Sequence, residues 1–184
     1  MYIRGFNLNM LRFISIIPLC LCLISLSFAE TNKRYRIGPG DSLSINVFGE
    51  KDLSDKEVPV SANSTISFPL LGEISVRNMN IQDLEKVLVR RLKDGYLKKP
   101  IVTISVHEYR LFYINGEVKK PGGYNFVDGL TIQKAVAIAG GFTERASKDK
   151  ITIEREHAIG KVIKVTLNNA VNPGDVITVD ESFF

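Results

Sequence analysis

The chain has 184 residues, of which 45% are apolar and 24% charged, the balance of an ordinary globular protein rather than a disordered one. Its formal charge is +4 and its isoelectric point about 9.0. Removing residues 1–29, which contain Arg4, Arg12 and no acid, leaves 22 basic against 20 acidic residues. The basic pI therefore does not point to nucleic-acid binding, which needs a concentrated basic stripe with stacking aromatics.

Residues 1–29 read as an export signal. Arg4 and Arg12 supply the positive start, and 13–28 is nearly all apolar, broken by Ser15, Pro18, Ser25 and Ser27. Ser27-Phe28-Ala29 then places small residues where a signal peptidase reads, and Glu30 opens a polar chain. Met10 is an alternative start. The competing reading is a retained anchor, but the run holds Pro18 and falls short of the ~20 residues that span a bilayer. Cys20 and Cys22 both lie in this segment, preceded by Leu19 and Leu21 rather than the small residues a lipidated cysteine needs. The processed chain thus has no cysteine, and no disulfide or thiolate site is expected.

After the signal come short strands and two helices. Leu43, Ile45 and Val47 alternate with Ser42, Ser44 and Asn46, the pattern of a half-buried strand. Thr65–Leu71 is the next strand candidate. A helix is expected over Ile81–Asp94, with Asn80 as N-cap, Asp83 in its first turn and Gly95 beyond its end. Ile81, Leu84, Leu88 and Leu92 form its apolar stripe. Val102, Ile104 and Val106 alternate with Thr103, Ser105 and His107 as another strand. Phe112–Val118 follows. A second helix over Thr131–Ala139 carries the small residues Ala135, Ala137 and Ala139 and stops at Gly140-Gly141. Ile151–Arg155, Val162–Leu167 and Val176–Val179 complete the strands. No later apolar run reaches membrane-spanning length, and no terminal amphipathic helix or transmembrane barrel is expected.

The halves echo each other. Pro39-Gly40-Asp41 precedes a strand early, and Pro173-Gly174-Asp175 precedes one late. In each, proline fixes φ, glycine permits positive φ, and aspartate can accept from nearby backbone amides. Neither is a phosphate loop, since both lack the Lys-Ser/Thr ending and a following helix. The expected fold class is α+β, two small mixed-sheet domains. The domains are the signal (1–29), a first unit (30–109) and a second unit (110–184).

Catalytic groups are not evident. His107 and His157 are far apart in sequence, and no cysteine joins them. No Gly-x-Ser-x-Gly elbow is present. Glu154 and Glu156 are expected on one solvated strand face, not converging on a sugar from separate elements. Lys98-Lys99-Pro100 and Lys119-Lys120-Pro121 read as basic turns, solvated or facing an acidic glycan. Asn63-Ser64-Thr65 matches a glycosylation sequon, to which no role is assigned. No catalytic, cofactor-binding or metal residue is therefore assigned, and no cofactor.

Tyr35-Arg36-Ile37-Gly38-Pro39-Gly40-Asp41 followed by Leu43-Ser44-Ile45-Asn46-Val47 resembles the opening of the periplasmic polysaccharide biosynthesis/export domain. Ser67-Phe68-Pro69-Leu70-Leu71-Gly72-Glu73-Ile74 and Tyr96-Leu97-Lys98-Lys99-Pro100 fit the same domain. Gly116-Glu117-Val118, Pro121-Gly122, Thr131-Ile132, Ala139-Gly140-Gly141 and Pro173-Gly174-Asp175-Val176-Ile177 resemble an SLBB domain, a soluble ligand-binding β-grasp. The resemblance implies a non-enzymatic component of capsular or exopolysaccharide export. It would be a periplasmic, outer-membrane-associated ring subunit in a Gram-negative bacterium. The implied partners are the polysaccharide, further copies of the chain, an inner-membrane polysaccharide co-polymerase and a separate outer-membrane protein. The alternatives are a soluble periplasmic module holding a glycan or small ligand, and a glycan-active enzyme.

Overall fold

The computed structural model describes residues 35–158 and 160–182. The expected export signal, with its two cysteines, lies outside the described residues. Two separate hydrophobic cores form, one from residues 37–104 and one from residues 112–179.

The first core is built on β1 (Ser42–Val47). Its alternation buries Leu43, Ile45 and Val47 on one face. β1 lies between two antiparallel neighbours, β2 (Asp55–Pro59) and β5 (Val102–Glu108). Leu43 faces Val106, Ile45 faces Ile104 and Val47 faces Val102 across the β1–β5 ladder, so apolar side chains meet apolar ones. A hairpin of β3 (Thr65–Phe68) and β4 (Gly72–Ser75) adds Ile66, Phe68 and Ile74. Helix α1 (Ile81–Lys93) closes the unit. Asn80 caps it by accepting the Asp83 amide at 2.9 Å, and Asp83 reaches back to the Asn80 amide, a capping box. Leu84, Leu88 and Leu92 are fully buried, each worth roughly 1.5–3 kcal/mol of transfer free energy. Gly95 follows with φ +98°, the left-handed exit expected of it. Glu85 on α1 accepts the Ile104 amide at 2.9 Å, so the helix fills a hydrogen-bond position on β5.

The second core surrounds a five-stranded sheet in the order β7-β6-β10-β8-β9. The strands are β6 (Phe112–Gly116), β7 (Gly122–Tyr124), β8 (Ala146–Glu154), β9 (Val162–Val165) and β10 (Val176–Glu181). β10 runs parallel to β6 and antiparallel to β8, placing Ile177 between Ile114 and Ile153. Helix α2 (Ile132–Ile138) packs on the sheet, capped by Thr131, which accepts the Lys134 amide. Its buried face is Ile132, Ala135, Val136 and Ala139; Ala137 is exposed, because helical spacing joins 135 to 139 and turns 137 away.

The α+β expectation therefore holds, with the mixed pairing located in the second sheet. β2, β4 and β7 carry no strand assignment in the sequence reading and are found here. β8 starts five residues earlier than expected, and β6 stops at Gly116, whose φ is +81°.

Candidate functional site at the domain junction

The two Pro-Gly-Asp turns are built alike. Gly40 has φ +88° and Gly174 φ +82°. Asp41 Oδ2 accepts the Gly38 amide at 2.8 Å, and Asp175 Oδ2 accepts the Asn172 amide at 2.6 Å, each three residues back. The carbonyl of Asp41 accepts from Val60 and that of Asp175 from Tyr113, which fastens each turn to a neighbouring segment. Both aspartates are 1% exposed. A carboxylate so buried needs a cation, and each has an arginine.

Arg155 supplies the second turn, its Nη1 donating to Asp175 Oδ2 at 2.7 Å. Arg110 supplies the first. It stands in the three-residue link between β5 and β6, and it is only 8% exposed. Its backbone amide donates to Asp41 Oδ1 at 3.0 Å and its Nη1 to Asp41 Oδ2 at 3.0 Å. Nη1 also donates to the Tyr35 hydroxyl at 2.9 Å, and that hydroxyl donates to Asp41. On the other side Nη2 lies 2.6 Å from Glu156 Oε2. That approach is an ion pair without hydrogen-bond alignment: Arg110 Nε and Glu156 Oε2 are buried and have no hydrogen-bond partner among the described residues.

Both turns press on this guanidinium. A Cβ on Gly38 would lie 2.7 Å from Arg110 Nη1, and one on Gly174 would lie 2.8 Å from Nε and 2.6 Å from Glu156 Oε2. The aromatic rings of Tyr35, Tyr109 and Phe126 extend the junction in two edge-to-face contacts, each 5.1 Å between centroids.

The charges respond accordingly. Burial, then Asp41, pushes the Tyr35 hydroxyl far above its ordinary value, so it remains a neutral donor. Burial followed by Asp128 raises Tyr109 to about 12. Burial works against the Arg110 cation, but Tyr35, Asp41 and Glu156 outweigh it and its pKa rises. Burial lifts Asp175 to about 6, with the Asn172 amide and Arg155 pulling the other way.

A cleft of about 570 Å³ opens beside the junction, lined in part by Pro39, Arg110, Tyr113, Glu154, Glu156 and Gly174. Glu154 and Glu156 depart from the expectation of one solvated strand face. Glu154 ends β8 and accepts the Gly160 amide, whereas Glu156 lies in a 3₁₀ turn and points to Arg110. The chain leaves the strand at Arg155, so the period-two alternation no longer applies. His107 lies on β5, 3.7 Å from the exposed Glu57 carboxylate, and the His157 side chain lies outside the described residues. Among the described residues no three or more His, Cys, Asp or Glu gather to hold a metal ion. Lys98, Lys99, Lys119 and Lys120 are exposed, as the basic turns require.

Arg110 was not singled out by the sequence. The signal was present in the paired Pro-Gly-Asp turns, since two buried aspartates demand two cations from somewhere in the chain.

Two α+β units, each opening or closing on a Pro-Gly-Asp turn and joined through a buried arginine, define a tandem-domain protein. Residues 29–107 match the family model of the polysaccharide biosynthesis/export protein, and residues 111–166 match that of the SLBB domain. The chain thus carries a match to the polysaccharide biosynthesis/export domain followed by a match to the SLBB domain. It is 27% identical over 141 residues to the exopolysaccharide production protein ExoF of Rhizobium meliloti, covering 68% of this chain and 34% of that one. It is 32% identical over 132 residues to the EPS I polysaccharide export outer membrane protein EpsA of Ralstonia solanacearum, covering 58% and 35%. The chain thus spans about a third of the length of the curated relatives it matches.

Proposed function

We infer that the protein is a non-enzymatic component of capsular or exopolysaccharide export, acting in the periplasm in association with the outer membrane of a Gram-negative bacterium. The observation that carries this is the order of the two family matches, export domain then SLBB domain, along one chain. The names of the relatives point the same way.

The finer reading is a subunit of an oligomeric ring around a conduit. Both cores are filled with side chains, so a polymer's path has to run between subunits. The partners would be an inner-membrane polysaccharide co-polymerase and a separate outer-membrane protein. The division into 30–109 and 110–184 is supported by the change of core at the short link around Arg110.

Gene deletion tests the reading. Surface polysaccharide should disappear while sugar-nucleotide synthesis continues. Normal surface polysaccharide in a strain without a paralogue would refute it.

A further inference from the structure

The charge of the chain is not spread evenly. Residues 86–99 contain six lysines and arginines and one acid, a net +5, whereas all other residues from 35 to 182 together carry −4. This stretch is the outer face of α1 and the loop after it. Lys86, Arg90 and Lys93 stand at i, i+4 and i+7, so helical geometry puts them on one face over about 10 Å. All three are exposed, opposite the buried stripe of Leu84, Leu88 and Leu92. They border a groove of about 480 Å³ completed by the half-buried Val89 and, at the helix end, by the exposed Asp94. Lys98, Lys99 and the 51%-exposed ring of Tyr96 continue the surface past the helix end.

Asp94 at the helix end is the one acid within 86–99, and among the described residues it forms no ion pair with these cations. Among the described residues none of Lys86, Arg90, Lys93, Lys98 and Lys99 has an ion pair. Nearby Glu85 is turned inward to the Ile104 amide, and Asp83 is engaged in the helix cap. The helix dipole favours cations in the last turn, but it does not account for Lys86 a turn earlier or for the lysines beyond the helix.

We propose that the outer face of α1, with Lys86, Arg90 and Lys93 continued by Lys98 and Lys99, is a docking track for a polyanionic glycan. This rests on the export function proposed above and narrows the cargo to an acidic polysaccharide. Unpaired cations in a row suit a linear polymer bearing repeated carboxylates. The stems of the lysines, Val89 and Tyr96 offer apolar surface to the faces of sugar rings. Attraction of this kind between exposed charges weakens with salt.

The test is titration of the purified protein with alginate oligosaccharides, a polyuronate probe, followed by amide chemical shifts at low and high salt. Dextran of similar length and phosphatidylglycerol vesicles serve as neutral and lipid comparisons. Shifts should cluster in residues 86–99 and fade at high salt, and dextran should cause none. The Lys86→Gln/Arg90→Gln/Lys93→Gln variant should keep its melting temperature and bind about tenfold or more weakly. Lys98→Glu/Lys99→Glu provides an independent variant should the first fold poorly, and it too should weaken binding. Unchanged affinity in a folded variant, shifts elsewhere, equal response to dextran, or binding to vesicles alone would each overturn the proposal. If the deletion strain loses surface polysaccharide while folded variants bind alginate like the parent, the docking track is wrong and the export reading stands. If the deletion strain makes normal polysaccharide, the export reading itself fails.

Discussion

Asp41 of the first domain holds Arg110 of the interdomain link twice, through the backbone amide at 3.0 Å and through Nη1 at 3.0 Å. The contact fixes the main chain and the side chain of the link together. It also buries a charge pair whose members are 1% and 8% exposed.

Removing one member of such a pair leaves an uncompensated charge. Arg110→Met should therefore destabilise the protein by about 3–5 kcal/mol, and Asp41→Ala by a similar amount. Arg110→Lys should recover only part of the loss, because an ammonium cannot reproduce the fork that reaches Asp41, Tyr35 and Glu156. Urea unfolding of the three variants checks this. Full stability in Asp41→Ala would show that the junction does not depend on this buried pair.

The two turn glycines should differ in cost. Both have positive φ, so alanine at either should cost roughly 1–2 kcal/mol. At Gly40 the added Cβ meets only the Arg110 Cβ, at 3.4 Å. At Gly174 it would meet Glu156 Oε2 at 2.6 Å and Arg110 Nε at 2.8 Å. Gly174→Ala should thus melt at a lower temperature than Gly40→Ala, and equal melting would show that the junction yields freely.

Stability should fall as pH rises from about 4 to about 6. Asp175 titrates near 6 in the folded protein against an ordinary value of 3.8, so between these values the folded state holds the extra proton. Deprotonation then costs stability, on the order of 3 kcal/mol for a shift of this size. Arg155 and Arg110 face the group and temper the rise, whereas Glu156 adds to it. Asp175→Asn should flatten the slope across this window, whatever its absolute stability. Chemical denaturation at a series of pH values gives the comparison, and parallel profiles would remove Asp175 as the cause.

Glu85 offers a local test. Its carboxylate accepts the Ile104 amide at 2.9 Å on β5. Glu85→Ala should cost about 1–2 kcal/mol and speed hydrogen exchange at Ile104 above that of its strand neighbours. Unaltered protection at Ile104 would mean that another group takes the place of Glu85.

The elements legible in the sequence are those with several buried residues in a regular period. β1 and β5 show the two-residue alternation, and α1 shows both its stripe and its caps. β2 and β4 bury one residue each, Val58 and Ile74, and a single apolar residue has no period to read. β7 is Gly-Gly-Tyr, held by its partner β6 rather than by propensity. The turns around Asp41 and Asp175 were readable because glycine and aspartate act within a few residues. Arg110 and Glu156 were not, because their meeting joins positions 46 residues apart in sequence, and no local rule specifies it.

The link at Tyr109-Arg110-Leu111 leaves little freedom to bend. A swing that pulled Arg110 away from Asp41 would strand a buried carboxylate without its cation, at a cost of about 3 kcal/mol or more. At tenfold per 1.4 kcal/mol, the bent form would make up less than about one molecule in a hundred. A subunit with so stiff an elbow carries its own curvature into any assembly it joins. In such an assembly the angle between the two units would be set within each subunit rather than imposed from outside.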